Sequence, residues 1–139
     1  MDHEVTLTQP LAAIFGHLAA PARLADWLPE VAGVQVGAGQ PAGIGVTFGL
    51  RLHDGDGDIC GSGELIGYEP PWSVAYRLVA GPHTYVLRLT CVASDDGTRV
   101  RIRQADSAVP LAVDLGRLPE RIRASAADPR RAAKRWPTR

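Results

Sequence analysis

The residues able to do chemistry are few and scattered. The four histidines are His3, His17, His53 and His83, and the two cysteines are Cys60 and Cys91. No Ser-His-Asp or Cys-His arrangement can be assembled from their spacing, and no Cys-x-x-Cys or Cys/His pair stands at zinc-ligand distance in the chain. His3 and His17 read as surface residues, His53 flanks an acidic turn, and His83 lies in a Gly-Pro-His turn. The acidic turn runs Asp54-Gly55-Asp56-Gly57-Asp58, with Glu64 beyond it. It begins as a calcium loop does, but such a loop needs Gly at its sixth position and Glu at its twelfth, where this chain has Ile59 and Leu65. The segment is therefore expected to be a hairpin turn. Two glycine pairs, Gly43/Gly45 and Gly61/Gly63, leave the dinucleotide fingerprint incomplete at Phe48 and Ile66. No metal and no cofactor is expected.

What remains is a set of polar groups placed in an apolar surface. Val100 and Ile102 alternate with Arg99, Arg101 and Arg103, so one face of that strand is apolar and the other is wet. Carried to neighbouring strands, the parity puts Val74, Tyr76 and Leu78, then Tyr85, Leu87 and Leu89, then Val46, Phe48 and Leu50 on the apolar side. The polar members of that face are Tyr76, Tyr85 and Gln104. A buried hydroxyl or amide without a partner costs about 1–3 kcal/mol, so each must meet a protein group, a water or a ligand. Glu64 becomes a candidate acid or base if its side chain turns inward, where desolvation would raise its pKa; a bulge in its strand decides that. Tyr76 is the second catalytic candidate. Trp27 reads as a helix anchor, with a platform under a ligand as the alternative. Cys60 and Cys91 fall on strands separated by a third, about 9–10 Å apart at ordinary strand spacing. That is too far to bond, and they read as small core residues.

The elements that must position these groups follow from periodicity. Residues 4–8 alternate with Val5 and Leu7 on one face, a half-buried strand that Pro10 stops. Leu11, Ile14, Phe15 and Leu18 then recur at helical spacing; after Pro21 the pattern repeats through Leu24, Trp27 and Leu28, which predicts two short helices. From Val31 to Asp106 short alternating runs are separated by turn residues, predicting six strands in an antiparallel meander. Past Pro110, Leu111, Leu115, Leu118 and Ile122 form a helical stripe interrupted at Gly116 and Pro119, where a break or kink is expected. Asp128-Pro129 opens a last short helix through Trp136.

Size and charge bound the rest. A chain of 139 residues with 45% apolar side chains predicts one domain, 1–139, with one core. Its 15 Gly and 11 Pro exceed the average of about 12% and punctuate short apolar runs, as in a strand-rich protein. The net charge is zero, but residues 1–69 carry −7 and residues 70–139 carry +7. The basic segment 124–139 raises the question of RNA or an acidic partner, yet it has no interleaved aromatics apart from Trp136, so no nucleic acid is expected. The opening Met1-Asp2-His3-Glu4 lacks a basic n-region and no apolar run approaches the ~18 residues of a membrane span, which predicts a reduced, cytoplasmic protein, monomeric or homodimeric.

The order of elements resembles the START-like or SRPBCC superfamily, the helix-grip fold, and within it the polyketide cyclase/dehydrase branch. The likeness is carried by Ile14-Phe15-Gly16-His17-Leu18, by Leu24-Ala25-Asp26-Trp27-Leu28-Pro29-Glu30-Val31, by Gly43-Ile44-Gly45, by the run from Gly63 through Tyr68 to Pro70-Pro71, and by Gly97-Thr98-Arg99-Val100. It implies an α+β fold: a seven-stranded curved antiparallel sheet, two short helices after the first strand, and a C-terminal helix on the concave face. Similar proteins end in one uninterrupted helix, whereas Gly116 and Pro119 cut into this one. The resemblance implies a small hydrophobic ligand, lipid, polyketide or quinone-like, held between sheet and helix by Trp27, Phe48, Leu50, Tyr76, Tyr85, Leu87, Gln104 and Leu115. A cyclase or aromatase-like enzyme, and an interaction module using the basic tail, are the alternatives.

Overall fold

The computed structural model describes residues 2–37, 43–54, 57–105 and 111–127. Its elements are β1 (Asp2–Leu7), α1 (Leu11–Leu18), a 3-10 helix (Pro21–Asp26), β2 (Val31–Val36), β3 (Thr47–Asp54), β4 (Gly57–Glu69), β5 (Ser73–Ala80), β6 (His83–Ser94), β7 (Gly97–Ala105), a 3-10 turn (Leu115–Arg117) and α2 (Leu118–Ala127). The strands form one curved antiparallel sheet in the order β1-β7-β6-β5-β4-β3-β2. The meander is as the turn spacing predicts. Its closing step, β1 against β7, sets Leu7 opposite Thr98 and Asp2 opposite Arg103.

Period-2 patterning decides which side is the core. Val74, Tyr76, Leu78 and Ala80 of β5, Tyr85, Leu87, Leu89 and Cys91 of β6, and Val100 and Ile102 of β7 are all buried on the concave face. In β4 the register slips between Leu65 and Gly67, so Gly63 and Leu65 face inward before the bulge and Tyr68, opposite Val74, faces inward after it. Phe48 of β3 pairs with Gly63. A Cβ at Gly63 would overlap the Phe48 ring, so glycine is what lets this ring lie across the sheet. Gly97, in the β6–β7 turn at φ +135°, answers a similar need, because a Cβ there would run into the Leu7 carbonyl.

The cover comes from five short pieces. From α1 come Ile14, Phe15 and Leu18, and the first 3-10 helix adds Leu24, followed by Trp27 and Leu28. An extended strap at residues 111–114 contributes Leu111, and the final pieces contribute Leu115, Leu118 and Ile122. The four leucine and isoleucine positions of the predicted C-terminal stripe are buried, but the helix expected from residue 110 is not what carries them all. The chain is extended to Asp114, makes one 3-10 turn capped by the Asp114 carboxylate on the Gly116 N–H at 3.1 Å, and becomes α-helical only at Leu118. Pro119 explains the start: in a first turn its missing N–H costs nothing, whereas inside a helix it would break one. The second predicted short helix is likewise 3-10 rather than α. The expected helix at 128–136 and most of the basic segment lie outside the described residues.

Two further expectations are corrected. Cys60 is exposed, on the convex face beside Arg51, and only Cys91 is a core residue. His17 is buried, at 7% exposure, on the same side of α1 as Ile14 and Leu18.

Candidate functional site

The candidate site is the interior between the concave sheet face and its cover. Tyr76 rises from the middle of β5, and its hydroxyl donates to the Leu18 carbonyl at 2.6 Å. Leu18 is the last residue of α1, where carbonyls are left without helical partners, so the sheet caps the helix through this phenol. Burial pushes the Tyr76 pKa far up, and the group stays a neutral donor. Gln104, near the end of β7, behaves as a piece of strand would: its Nε2 donates to the Leu111 carbonyl at 2.8 Å, and its Oε1 accepts from the Leu111 N–H at 3.0 Å. Gln104 thereby pins one end of the strap. Beside it Glu30 Oε1 accepts from the Ala112 N–H, and the other end is held where the Trp27 carbonyl accepts from the Asp114 N–H, both at 2.9 Å.

Three rings line up from the cover to the sheet. Trp27 and Tyr76 have centroids 6.4 Å apart, and Tyr76 meets Phe48 edge-on at 6.1 Å. Leu50, Leu87, Tyr85 and Leu115 are buried around this interior. The Trp27 Nε1 is buried and has no hydrogen-bond partner among the described residues.

Glu64 is elsewhere. It precedes the β4 bulge, so its parity is set by Gly63 and Leu65, and it faces out to pair with Arg77 at 2.7 Å on a half-exposed surface. The condition for an acid or base role at Glu64 is not met.

Sequence reasoning missed a half-buried ionisable pair. His17 Nε2 lies 2.7 Å from Asp26 Oδ2, joining α1 to the 3-10 helix, and Arg121 of α2 approaches the other Asp26 oxygen at 4.0 Å. Desolvation lowers the His17 pKa; the Asp26 hydrogen bond and charge oppose this, while Arg23 and Arg121 add to it. The i, i+3 spacing of His17 from Ile14 is the signal that could have found it. Burial likewise pushes the Cys91 thiol up to about 11, which makes it an inert core group. No helix among the described residues is long and apolar enough to cross a membrane.

A curved antiparallel sheet gripping short helices on one face defines a helix-grip protein. The chain belongs to the family described as polyketide cyclase / dehydrase and lipid transport, whose family model matches residues 1–130. No curated protein matches the sequence. Among solved structures it is similar to protein CV1439 from Chromobacterium violaceum, at 16% identity over 77% of this chain and 78% of that one, with a TM-score of 0.61. Protein DR_A0006 from Deinococcus radiodurans is similar at 16% identity, 76% and 81% coverage and a TM-score of 0.61. The ginseng major latex-like protein 151 from Panax ginseng reaches 0.60 at 11% identity, with 78% and 79% coverage. At such identities these likenesses speak for the fold alone.

Proposed function

We propose that this protein binds a small apolar molecule, of lipid, polyketide or quinone-like character, in the interior between the concave sheet and its cover. The observation that carries the reading is the chemistry of that face. Its side chains are largely apolar, and two of the three polar groups expected to steer a ligand are turned to the protein's own backbone, Tyr76 to Leu18 and Gln104 to Leu111. Affinity would then come from burial, at about 25 cal/mol per Å² of apolar surface removed from water. The family description, which includes lipid transport, agrees.

The test is native mass spectrometry of freshly purified protein paired with solvent extraction. The expected result is a stoichiometric mass excess that extracts into organic solvent. A clean protein mass, with no binding of added apolar probes, would overturn the proposal.

An enzymatic reading finds its support in the half-buried His17–Asp26 pair, because a cyclase needs an acid/base couple. The same extraction separates the two. From a binding protein, wild type and His17→Gln yield the same compound. An enzyme's variant would hold an unconverted precursor, heavier by water where the reaction ends in dehydration and otherwise an isomer that chromatography separates from the product.

A further inference from the structure

Trp27 holds an indole N–H with nothing to give it to. The side chain is fully buried, Nε1 has no partner among the described residues, and its own backbone carbonyl is taken by the Asp114 N–H. Orphan buried donors are rare, because the lost hydrogen bond to water is not replaced. The neighbouring hydroxyl of Tyr76 is donated to Leu18, so it offers a ligand no second donor. No buried cation is at hand either: among the described residues the buried polar side chains are His17, Thr98 and Gln104, His17 is already paired with Asp26, and no Lys or Arg is buried to neutralise an anion. An anionic headgroup in this interior would be an uncompensated charge.

Resting on the apolar-ligand reading, we infer that the ligand is uncharged and carries an oxygen acceptor, a carbonyl, which accepts the Trp27 Nε1–H while its apolar body lies against the Trp27–Tyr76–Phe48 row. A pure hydrocarbon leaves the donor orphaned, and a carboxylate meets the donor but brings a charge that nothing there balances. The carbonyl compound satisfies both conditions.

Three probes of one shape separate the cases: 2-ethylnaphthalene, 2-acetylnaphthalene and 2-naphthoate. Each is titrated into the full chain and followed by the core methyl signals and the indole N–H signals of Trp27, Trp72 and Trp136 in nuclear magnetic resonance. The ketone should bind about tenfold tighter than the hydrocarbon, as one satisfied buried donor allows, and should move the Trp27 indole proton downfield. Naphthoate should bind weakest. In Trp27→Phe, which keeps a ring and removes the donor, ketone and hydrocarbon should bind alike, whereas Trp72→Phe keeps the difference. If Trp27→Phe does not fold, the indole shift in the wild-type protein decides. Equal binding of ketone and hydrocarbon, tightest binding of naphthoate, or a Trp27 proton unmoved by the ketone overturns the inference and leaves the apolar reading standing. Failure of all three to bind overturns both.

Discussion

Tyr76 and Gln104 each sit where strand parity places them, yet both give their polar atoms to backbone outside the sheet, Tyr76 to Leu18 at the end of α1 and Gln104 to Leu111 seven residues further on. That fixes what their loss should do. Tyr76→Phe should cost about 1–3 kcal/mol, since the Leu18 carbonyl is left buried without its donor. Glu64→Gln should stay within about 0.5 kcal/mol, because the Arg77 pair is half exposed. Urea unfolding of both variants checks this, and an unchanged Tyr76→Phe midpoint would contradict the capping role. His17 makes a pH prediction. Its folded pKa lies below the ordinary 6.5, so just below that pH the unfolded chain binds more protons than the native one, and stability falls as pH drops through 6.5. Unfolding at pH 7.5 and 5.5 should show a loss in the wild type that is smaller in His17→Gln; equal losses would rule the pair out as the cause. At this scale parity was legible in the sequence and partners were not. Alternation says that Tyr76 faces in, but its acceptor lies 58 residues away and exists only once α1 docks.

At the scale of elements, the strap at 111–114 is the departure from a single long covering helix. It exists because Pro119 can open a helix but not continue one, and because Gln104 offers the extended chain an amide to pair with. Gln104→Leu removes two hydrogen bonds at once and should cost about 2 kcal/mol. The Leu111 amide should exchange its hydrogen faster in the variant, and bound ligand should be released faster. Unchanged protection at Leu111 would show that the Trp27 and Glu30 contacts hold the strap alone. The strands and α1 could be read from periodicity because each is amphipathic on its own. The strap could not, since Leu111 and Leu115 keep helical spacing while the backbone between them is extended; a buried stripe reports burial, not the conformation that achieves it.

At the scale of the molecule, topology answers part of the charge asymmetry among the described residues. The acidic first half and basic second half are laid side by side, with Glu4 of β1 on Arg101 of β7 at 3.3 Å, Glu64 of β4 on Arg77 of β5, and Asp26 near Arg121. Exposed pairs of this kind contribute about 1 kcal/mol or less each, so they set register and solubility more than stability. Thr98 and Gln9 continue the seam: the Thr98 hydroxyl donates to the Gln9 carbonyl, and Gln9 Nε2 donates to the Pro119 carbonyl at the start of α2. Pairing β1 with β7 also carries a kinetic consequence. Leu7 and Thr98 are 91 residues apart in the chain, and the ladder they begin cannot form until the whole meander between them is available. Topologies dominated by such distant contacts fold in about milliseconds to seconds, and a ribosome adding about 5–20 residues per second needs several seconds to travel from β1 to β7. Throughout that interval the apolar side of β1 has no strand to lie beside, and the nascent chain must be kept from pairing that edge with a neighbour's.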